Sequence, residues 1–576
     1  MKNRTRSYVL CVSMALGLGW VVSAGAQPSP SLPVVPTPRV VPPTPPPTLD
    51  RSTLTPSTAL PDRPVPRELS KPEDDVRINV KAYAVDDDAP AELRAALRGL
   101  TERYTGPDRN FEDLVNAAAE VTRFLQRDLG FYLGYAFLPE QDPKDGIVRI
   151  AVLEGRLDKV VLNWTDGLPV DRDVIEAYLD RLTPGSILRV RDVERVVFLV
   201  NDLRGITARF EVRAGERPGT AQLVVTPRAE SIWTGRADFD TNGSRFLGEF
   251  RFGGLVQMNS PFGRGDGLTG NALVSTTGGL LFGLLGYTTP VGSDGVKLGV
   301  SVSGVEYQLD EDIFPLDLNG YSYTGNAFGL YPVVRARNLN LFTLVSAEHK
   351  VYLDRQEAAA AETEKTVNTF ALGVTGDFRD SLLGGAVSTY DANLVGGSVD
   401  YTDGRPGGLE DDENFTKLVF GYSRLQDAVT GRLLVYAALR GQWTEDNLDT
   451  TEQFRLGGPE GVRAFAPGEA TGDRGAYVNL ELRILPSEEW FGRAARDMVF
   501  NVFYDVGHIE YRSNPSSNSR SANSDTFSGA GVGLSWVKPG EYALRLSLST
   551  PLGGDPRSDP RENDPRLYLI FSKSFQ

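Results

Sequence analysis

The 576-residue sequence is nearly without sulfur chemistry, its only cysteine being Cys11. That residue falls in an N-terminal segment expected to be removed, so the mature chain has neither thiol nor disulfide and thiol catalysis is excluded. Histidine is almost missing too. His349 and His508 stand alone, without partners at metal-ligand spacing, so no metal site is indicated and polar strand positions account for both. No Gly-x-Ser-x-Gly elbow and no phosphate-binding glycine loop appears, so an enzyme is not expected and no cofactor is implied. Basic excess is lacking: a formal net charge of −16 argues against nucleic acid as a partner, because phosphate binding needs a basic surface. After the N-terminus, no apolar run approaches the ~20 residues that a membrane-spanning helix requires. A helical membrane protein is thereby excluded. A membrane β-barrel is not, since its strands alternate apolar and polar residues and average out.

What is present is glycine and aromatic residues: 60 Gly, 27 Phe and 21 Tyr. Lys2, Arg4 and Arg6 precede the apolar run Tyr8 to Val22, and Ala24-Gly25-Ala26 supplies small residues for cleavage before Gln27. Residues 1–26 therefore read as a secretory signal peptide. From 27 to 75 prolines cluster without a periodic apolar face, which favours an extended polyproline II spacer of about 3 Å per residue. A peptide docked by an aromatic-lined groove is the alternative for this segment.

Between residues 76 and 228 a mixed pattern occurs twice, suggesting two copies of one small α/β module, 76–154 and 155–228. Each reads strand-helix-helix-strand-strand. The first has a strand at Val76 to Ala84, helices at Pro90 to Leu100 and Phe111 to Leu129, and strands at Phe131 to Leu138 and Gly146 to Leu153. The second has a strand at Leu157 to Asn163, helices near Asp171 to Asp180 and Val190 to Asp202, and strands near Ile206 to Arg213 and Thr220 to Thr226. Asn110 and Asp171 are placed to cap helices through their side chains.

From 229 to 576 helical periodicity gives way to strand-like alternation. In Tyr542 to Ser549 the even positions are apolar, and Val478, Leu480, Leu482 and Ile484 alternate with Asn479, Glu481 and Arg483, which would face a wet interior. The segments are longer than the 5 to 6 residues usual for soluble sheets and match the roughly 9 to 11 a membrane strand needs. Sixteen are placed, from 231–241 to 566–575, giving a transmembrane barrel of about sixteen antiparallel strands. With the modules in the periplasm, the long connections all fall outside and the short ones inside, as in outer-membrane barrels. Pro486 to Asp497 is the main exception. Arg264-Gly265-Asp266 falls in an inner turn, which argues against an adhesion role.

The longest outer connection, about 444–474, contains Gly461-Val462-Arg463-Ala464-Phe465. Two strands later, Phe503, Asp505 and Gly507 share one face while Val502, Tyr504 and Val506 take the lipid face. If the loop folded back into the barrel, Arg463 could pair with Asp505 by charge-assisted hydrogen bonds and plug or reshape the pore. Otherwise Asp505 is one more lumen-lining polar residue.

Here the sequence resembles a known family. Gly461 to Phe465 looks like the Val-Arg-Gly-Phe/Tyr loop motif, and Phe503-Tyr504-Asp505-Val506-Gly507 looks like the Phe-x-Asp-x-Gly strand motif, of the superfamily of barrel-assembly proteins and two-partner secretion transporters. Resemblance to the secretion transporters, the haemolysin-activator type, is closer and covers nearly all of the chain after the linker. The joint Asp145 to Gly155, the segment Phe198 to Gly205 and the turn Asn259 to Asp266 carry it further. It implies two POTRA modules in the periplasm that capture an unfolded, secreted exoprotein, expected to be β-helical and encoded nearby, and an outer-membrane barrel that passes it outward without ATP. It also implies roles for Arg463, Phe465, Phe503, Asp505 and Gly507. Ala464 stands where the motif has glycine, Gln576 follows Phe575 where such barrels often end, and the Pro-rich segment replaces a plugging helix, so no plug is expected. An assembly factor for other barrels and a passive porin are the rival readings.

Overall fold

The computed structural model describes residues 77–143, 145–217, 219–313, 317–404, 411–515, 522–554 and 565–575. The expected signal peptide, the Pro-rich segment with its expected lack of a plug, and Gln576 lie outside the described residues.

In the first module, helices Ala91–Thr101 and Phe111–Arg127 bury Leu93, Ala117, Val121 and Leu125 against Val148 and Ile150. Asn110 caps the second helix: its side chain accepts the Asp113 N–H at 2.9 Å, and the Asp113 carboxylate accepts the Asn110 N–H at 3.2 Å. The strands are shorter than expected because the chain changes partner at Lys81. Ile78–Val80 pairs with Gly106–Arg109, and Ala82–Ala84 pairs in parallel with Ile147–Arg149. Gly106–Arg109 is a strand that the sequence hides, since Gly-Pro-Asp-Arg has no apolar alternation.

In the second module Thr220–Ala229 is the central strand, parallel to Arg156–Leu162 and antiparallel to Ile206–Ala214. Helices Arg172–Leu179 and Val190–Asn201 cover it, with Ile175, Val193, Val196 and Leu223 in the core. Asp171 does not cap its helix by side-chain hydrogen bonding. Its N–H instead donates to the Gly263 carbonyl at 2.7 Å, and its carboxylate lies against Gly263, so the barrel has drawn it away.

This module is bolted to one end of the barrel. Arg335 donates to both Asp202 carboxylate oxygens at 2.7 and 2.9 Å while stacking over Phe198, a fork geometry suited to a buried link. Arg195 donates to the carbonyls of Pro332 and Asp294, each at 3.0 Å, and the Arg204 N–H donates to that of Gly265 at 3.1 Å. Three turns, between strands 2 and 3, 4 and 5, and 6 and 7, thus carry the module and define the periplasmic end. In the first of them Asp266 accepts the Arg264 N–H and the Tyr287 hydroxyl, so the Arg-Gly-Asp run is a braced turn.

Sixteen antiparallel strands form a closed barrel, the first (Trp233–Asp240) pairing with the last (Arg566–Phe575). Lipid-facing side chains such as Val502 and Val532 are exposed, as a membrane strand requires. The wall is uneven. The first three strands are 8 or 9 residues long, whereas strands 6 to 9, Leu318–Arg335, Leu339–Gln356, Ala361–Asp380 and Ala386–Asp403, have 18 to 20. The alternation in the sequence predicts an outer loop at 354–365, but most of that stretch is strand and only residues 357–360 turn. Beyond the lipid a strand no longer needs an apolar face, so the alternation stops before the pairing does. The long inner connection holds a short helix, Glu488–Phe491, and a 3₁₀ turn, Gly492–Asp497.

Candidate functional site

Strand 13, Met498–Glu510, points Phe503, Asp505 and Gly507 into the lumen, with Asp505 fully buried. What buries it is the connection between strand 11, ending at Thr444, and strand 12, starting at Arg474. This connection folds inward as a stalk of two paired segments, Phe454–Leu456 and Ala470–Gly472. Gly457 and Gly458 follow in the left-handed region, with φ of 96° and 92°, a double bend that side chains would oppose. The tip, Gly461 to Phe465, is buried against the wall.

Arg463 is the centre of the tip. Its Nε and Nη2 donate to the two Asp505 oxygens at 2.8 and 2.7 Å, and its main-chain N–H adds a third bond to the same carboxylate at 3.1 Å. Nη1 donates to Glu481 Oε1 at 2.7 Å, and the guanidinium lies 3.5 Å above the centre of the Phe503 ring. Arg483 balances Glu481 at 2.7 Å, so two cations meet two carboxylates and the cluster is neutral. Asn479 bridges Asp505 and the Gly461 carbonyl. From strands 15 and 16, Ser549 and Tyr568 donate hydroxyls to the carbonyls of Arg463 and Phe465, both at 2.8 Å. Phe465 meets Phe527 edge-on.

Each remaining motif residue has a steric part. A Cβ on Gly507 would strike Leu456, and Val462 packs beside it. Ala464 is not left-handed, and its methyl fills the space over Gly529, where a second Cβ would collide with it. The missing motif glycine is thus matched by a glycine in the wall.

The root of the loop is tied down on the other side. Lys365 holds both oxygens of Asp449 at 2.8 and 2.9 Å, and Tyr401 donates to Asp449 at 2.7 Å. Glu452 receives Lys350 at 2.9 Å and Lys417 at 2.8 Å, and Glu348 adds a third carboxylate 3.0 Å from Lys350. Burial would raise the Glu452 carboxyl, but Lys417 and Lys350 hold it well below the usual range. These lysines come from strands 7, 8 and 10. The loop is therefore a strap across the lumen, rooted on one wall and tipped on the opposite one. Beside it lies a cavity of about 600 Å³ whose lining includes Arg251, Lys350, Lys417, Arg440, Arg455 and Glu460.

Sequence reasoning did not see Glu481 as a second partner of Arg463. It put Glu481 on an inward but wet face, whereas the strap dries that face. Asn479 has the same inward parity and was equally findable. The root was not legible: inward parity can be read for Lys350 and Lys417, but Lys365 falls in the expected outer loop and nothing in the sequence assigns Asp449 or Glu452 to any of the three lysines.

A family model described as haemolysin secretion/activation protein ShlB/FhaC/HecB matches residues 219–536, and one for the POTRA domain, ShlB-type, matches residues 80–155. The heme/hemopexin transporter protein HuxB of Haemophilus influenzae is 25% identical over 462 residues, 79% of this chain and 80% of its own length. The outer membrane transporter CdiB of Dickeya dadantii is 26% identical over 71% of this chain and 72% of its own. Among solved structures, CdiB from Escherichia coli superposes with a TM-score of 0.66 at 20% identity, covering 89% of this chain and 93% of that one. BamA from Haemophilus ducreyi lacking POTRA domains 1–3 gives 0.52 at 14%, covering 86% and 100%. At such identities these two structures speak for the fold alone.

Proposed function

The chain belongs to the haemolysin secretion/activation family ShlB/FhaC/HecB and is an outer-membrane transporter of the two-partner secretion type, with its POTRA modules in the periplasm, and from that premise we propose how it handles its cargo. The cargo is an unfolded exoprotein, β-helical once folded and encoded nearby. Edges of the module sheets take it up by strand addition, which asks for main-chain hydrogen bonds and little sequence. It then leaves through the barrel without ATP, past the strap, whose Arg463 contacts with Asp505 and Glu481 set whether the lumen is open.

The observation that carries this reading is the inward strap itself: a loop pinned through buried charges occupies the route the cargo must take. Barrel assembly is the weaker reading, since the family model matched is that of the secretion proteins. The test is secretion of the adjacently encoded exoprotein in a strain lacking this gene, complemented with wild type or Arg463→Ala at equal barrel levels. Deletion should abolish secretion, and Arg463→Ala should leave the exoprotein in the periplasm. Unchanged secretion on deletion would overturn the transporter reading; wild-type secretion by Arg463→Ala alone would overturn the role of the tip.

A further inference from the structure

The periplasmic end of a barrel usually needs only tight turns, yet three of this chain's inner connections display large apolar side chains. Phe262 is 68% exposed, Leu382 and Leu383 are 63% and 78% exposed, and Trp490 is 83% exposed. These turns lie between strands 2 and 3, 8 and 9, and 12 and 13, so they are spread around the rim and do not form one protein-binding patch.

Their partners show which way they lean. Phe491, next to Trp490, packs on Phe500 with ring centres 5.5 Å apart, and Phe500 shares the outward parity of Val502 and Tyr504. Phe262 meets Tyr287 edge-on at 5.7 Å, and Tyr287 shares the outward parity of Leu281 and Leu285. The Leu382–Leu383 turn is held by Gln426, whose amide donates to the carbonyls of Leu382 and Leu383 at 2.8 and 3.1 Å. Gln426 has the outward parity of Leu418 and Tyr422, and beside it Arg424 donates to both oxygens of Asp380 at 2.7 and 3.0 Å. The apolar side chains of all three turns therefore lean toward the outside of the wall, while the backbone of the first turn also holds the second module.

Leu383 adopts φ of 48°, a left-handed conformation uncommon for a branched apolar residue, and the turn uses it to present a leucine outward. The short helix bearing Trp490 is stapled by Arg496 to Glu488 at 2.6 Å, keeping its charges at the surface and its aromatic side free. Apolar and aromatic groups beside a polar brace, continuous with a lipid-facing wall, match the boundary between headgroups and acyl chains.

We propose that these three turns are interfacial anchors that seat the barrel in the periplasmic leaflet, with Trp490–Phe491 and Leu382–Leu383 inserted at the headgroup–acyl boundary of the phospholipid. The long connection Pro486 to Asp497 thereby has a purpose: its extra length reaches outward to lipid. This inference rests on the barrel being in a membrane, and the test separates the two.

The full mature chain would be reconstituted into phosphatidylcholine–phosphatidylglycerol vesicles, and the fluorescence of wild type compared with that of Trp490→Phe. The difference signal, that of Trp490, should be lost with lipids brominated near the glycerol end of the acyl chain and be protected from aqueous iodide. Trp233 and Trp443, exposed on the lipid face of strands 1 and 11, should be quenched by brominated lipid in both proteins. Loss of that control would sink the membrane reading, whereas an intact control with an iodide-quenched Trp490 would overturn the anchor. Leu383→Trp in the Trp490→Phe background extends the test to the second turn: quenching by brominated lipid supports the proposal, and quenching by iodide overturns it there.

Discussion

The two ends of the strap are both fixed by buried opposite charges, but with different chemistry. At the root, lysines make point-charge contacts to Asp449 and Glu452 from three strands. At the tip, a single guanidinium is forked onto Asp505, bonded to Glu481 and stacked on Phe503 at once. A planar cation fixes direction as well as distance, while an ammonium on a flexible stem fixes distance only. The tip is therefore held in one docked pose. At the root Lys350 has two carboxylates within reach, Glu452 and Glu348, and Glu452 has two lysines.

This contrast can be broken most severely at Asp505. Asp505→Ala leaves Arg463 buried with its main partner gone, and removing one member of a buried pair costs about 3–5 kcal/mol. The expected outcome is a detached tip, read as protease cleavage within 457–468 on intact cells. Asp449→Ala at the root should cost less, because an ammonium on a flexible stem can turn to another acceptor, whereas the guanidinium of Arg463 is locked by its fork and its stack. Cleavage should be weaker in that variant than in Asp505→Ala.

A smaller change sharpens the same point. Arg463→Lys keeps the charge yet loses the fork and the stack, whereas Lys365→Arg keeps charge with more donors; the first should lower secretion well below the second at equal barrel levels. Equal effects would remove the distinction between the ends. The smallest expected effect is steric. Gly529→Ala should cost about 1–3 kcal/mol by overpacking against Ala464, and adding Ala464→Gly should restore most of it, read from the temperature at which the barrel loses its heat-modifiable gel mobility.

Much of this architecture could be read from alternation alone. Sixteen strands, their direction and the inward parity of Phe503, Asp505 and Glu481 follow from a period of two imposed by lipid on one side. The height of strands 6 to 9 could not be read, because outside the membrane that pressure ends while hydrogen bonding continues. Gly106–Arg109 was hidden for the same reason, pairing through backbone with no side-chain pattern. Contacts across the lumen are a harder class. Parity says that Lys350 and Glu481 point inward, but not which loop residue a barrel of this width brings to each. For the tip, motif spacing narrowed the choice to Arg463 and Asp505; for the root nothing did, and capping by Asp171 failed because a neighbouring turn competed for it.

The attachment of the second module has a mechanical consequence. Its forked Arg335–Asp202 link and its contacts to Pro332, Asp294 and Gly265 deliver load to strands 2 through 7 and bypass strands 12 through 16, where the tip is docked. A pull on the module by a bound chain would thus act on one half of the cylinder, flexing its cross-section toward an ellipse. The strap, tied to both halves, would feel that flexure as tension along its length.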